Sequence, residues 1–281
     1  MRAVAEIAVV IPAFDSAATL AETIASARAQ TLSPKEIIVV DDGSADESAA
    51  VAERAGARVI RRANGGPGAA RNTGIAATRC PWIAFLDADD LFEPDKLEKQ
   101  VERLNASGAS ACCTDAWLLR DSAPLVRKNL SKVVPAQIAF ADLLRGNPIV
   151  CSSMLASRDA LVTAGLFDED RVLVATEDYD LWLRLAKRGG IDYVDLPLVR
   201  YRVGRASLTS NERFLRGIDR IFLKLGIEKA PMRVETRLNR AYDLVADGKR
   251  SEARALLREA RALGGCGKKH WKLWLKTWLL G

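Results

Sequence analysis

The stretch WIAFLDADD, residues 82–90, joins an apolar run to three aspartates. Residues 82–86 are typical of a buried strand, and Asp87, Asp89 and Asp90 follow directly after it. Like charges held this close repel one another unless a cation or hydrogen-bond donors compensate them. Mg²⁺ and Mn²⁺ prefer oxygen ligands and bind through one or two carboxylates plus substrate phosphates. The stretch therefore favours a metal–diphosphate site, with an ordinary acidic loop as the alternative.

Strands and helices alternate around this stretch through the first hundred residues. The patterns predict strands at 7–11, 36–40, 58–61 and 82–86, and helices at 16–30, 46–55 and 68–78. Strands this apolar, separated by helices, are expected when helices cover both faces of a sheet. We therefore expect a layered α/β fold with a mainly parallel central sheet.

A second acidic cluster follows the second predicted strand, in VVDDGSADES, residues 39–48. Asp-Gly is a turn signal, and Ser44 or Asp46 could cap the next helix. That interpretation leaves Asp41 and Asp42 unexplained, whereas both suit hydrogen bonds to the N–H of a pyrimidine base or to ribose hydroxyls. Ligands of such folds bind beyond the carboxyl ends of the strands, so we expect both acidic clusters to share one crevice.

The pattern becomes mixed after residue 107. We predict strands at 111–119, 150–156 and 193–201, and helices at 136–145 and 176–187. From 236 to 263 the chain is predicted to be helical, and this segment resembles one unit of a tetratricopeptide-type helix pair. A helical appendage thus follows the α/β part.

Composition excludes several classes of protein. The chain has 281 residues, 49% of them hydrophobic, so it can bury a full core. Its five cysteines have no CxxC spacing, and its single histidine, His270, rules out a multi-histidine metal site and most histidine-dependent triads. Acid–base chemistry is then left to carboxylates.

The sequence shows neither a membrane-spanning pattern nor a targeting pattern. No run approaches the roughly 18 apolar residues of a spanning helix, and the amino terminus is too short and too acidic for a cleaved signal. We therefore expect a cytoplasmic protein.

The positive charge is concentrated at the carboxyl end. Residues 228–281 hold 13 Lys+Arg and 6 Asp+Glu, a net of +7 against +6 for the whole chain. In KKHWKLWLKTWLL, residues 268–280, Trp271, Trp274 and Trp278 fall on one helical face beside a lysine-rich face. This profile suits a helix in a membrane interface, with a helix that caps the appendage as the alternative. No nucleic-acid-reading motif accompanies the charge, so we expect no nucleic-acid partner.

Six motifs together resemble those of family-two inverting glycosyltransferases with the A-type, Rossmann-like nucleotide-sugar fold. They are IPAF (11–14), VVDDGS (39–44), NGGPGAARNTGI (64–75), FLDADD (85–90), GLFDED (165–170) and TEDYDLWLRL (176–185). The resemblance covers roughly residues 5–210. It implies a glycosyltransferase domain at 1–227, with a nucleotide-binding half at about 1–107 and an acceptor-side half at about 108–227. Residues 228–281 then form a basic helical segment.

The resemblance also implies roles for residues near the nucleotide. Pro12, Ala13 and Phe14 would line the base, with Asp42 accepting a hydrogen bond from it and Asp41 in support. Arg71 resembles a residue near the nucleotide, although a salt bridge on a helix face is an alternative for it.

The chemistry implied by the resemblance uses carboxylates at two places. Asp87 and Asp89 look like the DxD pair that touches the ribose and a metal-bridged diphosphate, with Asp90 beside them. Asp178 aligns with the catalytic base that removes the acceptor hydroxyl proton. The alternative for Asp178 and Glu177 is a pair of charges favoured by a helix dipole. Glu177 and Asp90 are further candidates for diphosphate or acceptor contacts.

One departure concerns the stretch YRVGRASLT, residues 201–209. Gly204 stands where many relatives carry a histidine near the metal or diphosphate. Arg202 or Arg205 could supply positive charge instead, because guanidinium suits phosphate. Asp15 replaces a common asparagine after the first strand.

We therefore expect a metal-dependent, inverting glycosyltransferase that uses Mn²⁺ or Mg²⁺ and a nucleotide-sugar donor. Its acceptor would be a glycan or lipid-linked molecule at the cytosolic membrane face. The alternative is a non-catalytic nucleotide-sugar or glycan-binding scaffold with a helical recruitment tail, and Gly204 would then mark eroded catalysis. A nucleotidyltransferase would need a glycine-rich, basic loop after the first strand, and IPAFDSAATL (residues 11–20) has none.

Overall fold

The computed structural model describes residues 6–120, 124–130, 133–203, 212–265 and 267–279, without the side chains of 269, 278 and 279. The strands are β1 (Ile7–Ala13), β2 (Glu36–Asp41), β3 (Arg58–Arg61), β4 (Trp82–Phe85), β5 (Leu91–Phe92), β6 (Ala111–Leu119), β7 (Val126–Arg127), β8 (Gln137–Ile138), β9 (Leu155–Ser157) and β10 (Ile191–Arg202). The helices are α1 (Leu20–Arg28), α2 (Ser48–Arg54), α3 (Pro67–Ala77), α4 (Lys96–Ser107), α5 (Phe140–Leu143), α6 (Arg158–Thr163), α7 (Glu177–Gly189), α8 (Glu212–Lys224), α9 (Pro231–Ala246), α10 (Arg250–Ala262) and α11 (Lys268–Leu279).

The chain divides into two compact units. The first contains Met1–Leu143, Asn147–Arg171 and Glu177–Ala206, and the second contains Leu144–Gly146, Val172–Thr176 and Ser207–Gly281. The division predicted at residue 227 stays a prediction.

The first unit is built on one mixed sheet with the strand order β3-β2-β1-β4-β9-β6-β10-β5. Outside this order, β7 pairs with β6 and β8 pairs with β10. Its longer pairings, β1 with β2, β2 with β3, β1 with β4 and β6 with β10, are parallel. The shorter pairings are antiparallel, including those that insert β9 between β4 and β6. The predicted α/β class with a mainly parallel sheet is therefore confirmed.

Helices cover both faces of this sheet because side chains alternate along each strand. Val9 and Ile11 of β1 belong to one core cluster with Ile24 of α1. Val10 points to the other face, towards α3, where a Cβ on Gly74 would lie 2.4 Å from the Val10 Cγ1. Glycine at position 74 thus lets α3 lie close against β1.

Two predicted elements after residue 107 were wrong in extent. The predicted helix 136–145 is reduced to α5, because Gln137 and Ile138 instead pair antiparallel with the start of β10. In the predicted strand 150–156, residues Cys151–Ser153 form a 3₁₀ turn, and the strand β9 begins only at Leu155. Both segments are too short for periodicity to distinguish helix from strand.

Side chains that precede α1 bond elsewhere, whereas Asp46, one of the two caps predicted for the next helix, bonds to the first residue of α2. Thr19 precedes α1 without a side-chain capping bond, and its hydroxyl donates to the Ala88 carbonyl at 2.8 Å. The hydroxyl of Ser16 donates to the Phe14 carbonyl. Asp46 does accept from the N–H of Ser48, the first residue of α2, at 2.9 Å.

The second unit contains α8 to α11, and the predicted helix pair is α9 with α10. Leu238, Leu244 and Leu257 lie in its core cluster, which Leu273 of α11 joins. This unit buries its own apolar cluster, as the helical appendage predicted from the sequence requires.

Two of the three tryptophans of α11, Trp271 and Trp274, differ in burial. Trp274 is packed against the core cluster of the second unit, whereas Trp271 is 48% exposed and Leu275 is 52% exposed. The side chain of Trp278 lies outside the described residues. Within the described residues, none of the helices has the length and apolar character needed to cross a bilayer.

Candidate active site

The loop that follows β1 is hydrogen-bonded to the loop that follows β2. Asp15 has a φ of 47°, a left-handed conformation that aspartate adopts more readily than most residues. Its N–H donates to the Ser44 hydroxyl at 3.0 Å, and its carboxylate accepts from the Ala45 N–H at 2.8 Å. Since β1 pairs parallel with both β2 and β4, their carboxyl ends meet at one sheet edge. The two predicted acidic clusters therefore follow neighbouring strands at that edge.

The residues predicted to line the base lie at the end of β1. Ala13 is buried, Pro12 is half-buried and Phe14 is 52% exposed. An exposed aromatic ring directly after a central strand is available for stacking on a planar ligand.

Asp42 is buried and accepts several hydrogen bonds from its own chain. The donors are Arg62 at 2.9 Å, the Gly65 N–H at 3.0 Å and the Gly66 N–H at 2.7 Å. Asp41 accepts from the Ser44 N–H at 3.1 Å. These contacts hold the loop that leads into α3.

Arg62 was not predicted from the sequence. The pairing of Asp41 with Arg61 in β2 and β3 puts the next residue of each strand side by side, so the strand register could have identified Arg62.

Asp90 is fully buried and braces the turn of residues 87–90, called the DxD turn after its Asp-Ala-Asp sequence. Its carboxylate accepts from the Ser152 hydroxyl at 2.6 Å and from the Arg202 N–H at 2.9 Å. Ser152 in turn accepts from the Asp87 N–H at 2.9 Å. Burial raises the pKa of Asp90 well above its usual value, and the charges of Asp87 and Asp89 add to this effect. Ser152 was missed because its segment was interpreted as a strand.

Asp87 and Asp89 differ from Asp90 in their accessibility. The side chain of Asp87 is 28% exposed, and Asp89 is exposed. Loss of hydration and the neighbouring Asp87 charge both raise the pKa of Asp89. Among the described residues, no set of three or more His, Cys, Asp or Glu is arranged to hold a metal ion. The protein thus offers two carboxylates at this point rather than a complete metal cage.

Arg71 of α3 connects the DxD turn to α7. This buried guanidinium donates through Nη2 to Asp87 and through Nη1 to Glu177, both at 2.7 Å. The salt-bridge alternative stated for Arg71 is therefore present in the structure. The bridges connect α3 to two other segments instead of running along one helix face. Arg71 Nε and Glu177 Oε2 are buried without a hydrogen-bond partner among the described residues.

The neighbouring Asn72 holds the loop of the GLFDED motif. Its amide donates to the Phe167 carbonyl at 2.9 Å and accepts from the Phe167 N–H at 3.0 Å. The Phe167 ring lies under the Arg71 guanidinium, 5.3 Å from its Cζ, and packs edge-on against Phe85. Consecutive residues of α3 thus anchor the GLFDED loop and the acidic start of α7.

Asp178 lies in the first turn of α7 and is half-buried. Its carboxylate accepts from the Tyr179 N–H at 2.6 Å. Burial and the Glu177 charge raise the pKa of Asp178 to about 7, while Arg71 and the Tyr179 hydrogen bond oppose this rise. A carboxylate with a pKa near neutrality is matched to general-base catalysis.

Arg202 is hydrogen-bonded to the DxD turn. Its Nε donates to the Asp89 carbonyl at 2.9 Å, and its terminal nitrogen pairs with Glu22. Gly204 and Arg205 lie outside the described residues.

Solved structures with a similar fold were found. The chain superposes with a TM-score of 0.65 on S. aureus TarS 1–349 in complex with UDP-GlcNAc, at 16% identity, covering 97% of this chain and 79% of that one. Against the mannosyltransferase PcManGT from Pyrobaculum calidifontis in complex with GDP-Man and Mn²⁺, the TM-score is 0.61 at 18% identity. This match covers 98% of this chain and 80% of that one. At these identities the likeness shows the fold alone.

Curated relatives also match. An uncharacterised glycosyltransferase of Rickettsia prowazekii is 30% identical over 73% of this chain and 66% of its own length. The Escherichia coli glucosyltransferase WfgD, described as acting from UDP-Glc on α-D-GlcNAc-diphosphoundecaprenol, is 27% identical over 73% of this chain and 80% of its own. The chain spans between 29% and 66% of the length of the first three curated relatives.

The family model for glycosyl transferase family 2 matches residues 8–161, which is more than half of the chain. This segment contains β1 from its second residue onward, β2 to β4, the two acidic strand ends and Arg71. The chain therefore belongs to glycosyl transferase family 2.

Proposed function

We propose that the chain transfers a sugar, with inversion, from a nucleoside-diphosphate sugar to a hydroxyl of a glycan or lipid-linked acceptor in cell-surface polysaccharide synthesis. The observation that carries the proposal is the Arg71 link between Asp87 at the DxD turn and the first turn of α7, where Asp178 lies. Membership of glycosyl transferase family 2 supports the reaction class.

The donor class is supported by the relatives. Solved neighbours hold UDP-GlcNAc or GDP-Man, and WfgD is named as using UDP-Glc. In this chain, Phe14 with Pro12 and Ala13 would contact the base, while Asp41 and Asp42 would fix the loops around it. Asp42 already accepts three hydrogen bonds, so its contact with the base would use its remaining acceptor capacity.

Asp87 and Asp89 fit a divalent cation. Two accessible carboxylates are the donor set that Mn²⁺ or Mg²⁺ combines with substrate phosphates, and loss of hydration together with the Asp87 charge raises the pKa of Asp89. A bound cation would neutralise charge on the leaving nucleoside diphosphate as a Lewis acid. The neighbour PcManGT, solved with Mn²⁺, supports this assignment.

Asp178 would act as the general base. Its pKa of about 7 leaves a substantial ionised fraction at neutral pH and enough basicity to take a proton from the acceptor hydroxyl. The hydroxyl oxygen then attacks the anomeric carbon opposite the leaving diphosphate, which inverts the configuration. Asp90 and Arg202 would keep the DxD turn in place, and Glu177 would act through its bond to Arg71.

The experiment that tests this function is a thermal-shift screen with UDP, GDP, dTDP and CDP, each with and without Mn²⁺. A ligand that binds the native state stabilises it by mass action and so raises its melting temperature. At a ligand concentration of one hundred times Kd, the gain in stability is about 2.7 kcal/mol. We expect one nucleotide to raise the melting temperature only with Mn²⁺. If no nucleotide does so, the enzyme proposal fails, and of the scaffold alternative only the glycan-binding form remains.

We also propose that the second unit contacts the cytosolic face of a membrane through α11. Trp271 and Leu275 are exposed beside Lys272 and Lys276, and α11 carries four lysines and no acidic residue. Exposed tryptophan favours the headgroup level, and lysine is attracted to anionic lipid. This contact would bring the enzyme to a lipid-linked acceptor.

Vesicle co-sedimentation tests the membrane contact. The full chain should sediment with vesicles of anionic phosphatidylglycerol and much less with phosphatidylcholine, and Trp271→Ala with Leu275→Ala should reduce the bound fraction several-fold. Leu223→Ala, at an exposed leucine on α8, is the matched control. Equal binding of the double variant and the parent chain would overturn the proposal.

A further inference from the structure

Arg71 bonds to both the DxD turn and the start of α7. Its two terminal nitrogens are each 2.7 Å from a carboxylate, Asp87 on one side and Glu177 on the other. Arg71 and Glu177 are both buried, so water screens their attraction poorly. The link is therefore stiff, and each partner depends on the other for charge compensation.

The guanidinium is held in place from other directions as well. Phe167 lies beneath it, and the side-chain amide of Asn72, the next residue of α3, donates to the Phe167 carbonyl and accepts from the Phe167 N–H. Gly68, one turn earlier, leaves room for this approach, because a Cβ there would lie 3.1 Å from the Asp168 carbonyl oxygen and 3.4 Å from the Glu177 Cγ. Arg71 thus has little freedom to swing towards a ligand.

We propose that Arg71 is a positioning residue that sets the placement and the ionisation of the Asp178 base by holding Glu177 and Asp87, rather than by contacting the nucleotide. This inference rests on the proposed function, in which Asp178 is the base. Arg71 is buried, and two of its five N–H donors already go to carboxylates, so contact with the nucleotide falls to more exposed groups.

The charges around Asp178 explain how Arg71 would control its ionisation. The groups that act on it are Glu177 in α7, Arg71 in α3 and Asp87 after β4, and it in turn acts on Cys151 in the 3₁₀ turn and Tyr201 in β10. Burial raises the pKa of both the Cys151 thiol and the Tyr201 hydroxyl, so both are neutral near pH 7. Arg71 is the cation in this set.

Opposite shifts are expected when the two ends of the buried pair are changed. Removing the cation favours protonated Asp178, so Arg71→Met should shift the acid limb of the kcat/KM pH profile upward. Removing the adjacent anion has the reverse effect, so Glu177→Gln should shift that limb downward. Each shift should be roughly one pH unit, the lower end of the effect of a close charge. Arg71→Lys, which keeps the charge but not the two-sided geometry, should lower kcat and leave the limb near its original position.

The measurement is the pH dependence of kcat/KM between about pH 5 and 9 for the parent chain and these three variants, with thermal melting as the folding control. A purely structural role would lower activity at every pH without moving the limb. If Arg71→Met does not fold, Glu177→Gln and Arg71→Lys decide the matter, and an unmoved limb in Glu177→Gln overturns the inference.

The two proposals fail in different ways. Turnover retained in Asp178→Asn would overturn the base assignment and hence the proposed mechanism. Inactive Asp178→Asn together with unmoved limbs in Arg71→Met and Glu177→Gln would overturn only the positioning role of Arg71.

Discussion

Asp178→Asn is expected to lower kcat for sugar transfer by about 10²–10⁴-fold, the usual contribution of a positioned general base. The amide has nearly the shape of the carboxylate and can still accept from the Tyr179 N–H, but it cannot take a proton from the acceptor. Because Asp178 lies in the first turn of α7 rather than on the DxD turn, nucleotide affinity should stay close to that of the parent chain. Transfer assays and calorimetric titration with the nucleotide found in the screen measure the two quantities separately.

Asp180→Asn is the matched control for that substitution. Asp180 lies on the same turn of α7, but its carboxylate accepts from Arg184 at 2.9 Å and 2.6 Å. This variant should lose some stability and keep most of its transfer activity. If Asp178→Asn retained more than a tenth of the parent turnover, or bound nucleotide as poorly as it reacted, the role of Asp178 as base would be wrong.

Asp89→Ala and Asp90→Ala make the same change at adjacent positions. The first should affect metal-dependent ligand binding and transfer, and the second should affect stability. Asp89 is exposed, so Asp89→Ala should leave the ligand-free melting temperature nearly unchanged. The variant should lose the Mn²⁺-dependent rise in melting temperature with nucleotide. Its transfer rate should fall by about 10³-fold, because a cation supplies several kcal/mol of transition-state stabilisation. Asp90→Ala instead leaves the Ser152 hydroxyl and the Arg202 N–H without their acceptor. An unsatisfied buried donor costs about 1–3 kcal/mol, which should lower the melting temperature by several degrees.

Thermal melting without ligand and with Mn²⁺ plus nucleotide separates these outcomes. The cation assignment predicts a normal melt and no metal-dependent shift for Asp89→Ala. A normal metal-dependent shift in that variant would contradict the assignment. A normal ligand-free melt in Asp90→Ala would contradict its bracing role.

Much of the fold followed from local sequence. β1 to β4 and α1 to α3 lie within a few residues of their predicted bounds, because apolar strands and helical periodicity alternate there without interruption. The failures fall in the segments 136–145 and 150–156. There, pairing with β10 and a turn at Ser152 outweighed patterns too short to be distinctive.

The candidate site divides in the same way. The sequence by itself determined which residues are acidic and which follow strand ends, so Asp41, Asp42, Asp87 and Asp89 could be named in advance, and the family pattern added Asp178. It did not distinguish Asp89 from Asp90, which are chemically identical neighbours. Only tertiary structure made Asp90 a buried brace and left Asp89 exposed, because Ser152 and Arg202 approach one side of the turn.

Arg71 illustrates why the remainder required three dimensions. Its ion-pair partners, Asp87 and Glu177, are 16 and 106 residues away in the chain, and no local pattern encodes a contact of that separation. The sequence determined the strands, the helices and the acids at the strand ends, because these depend on neighbouring residues. The pairing of Arg71 with the acidic start of α7 was decided only when α3 and α7 packed on the same face of the sheet, where burial makes an ion pair of opposite charges necessary.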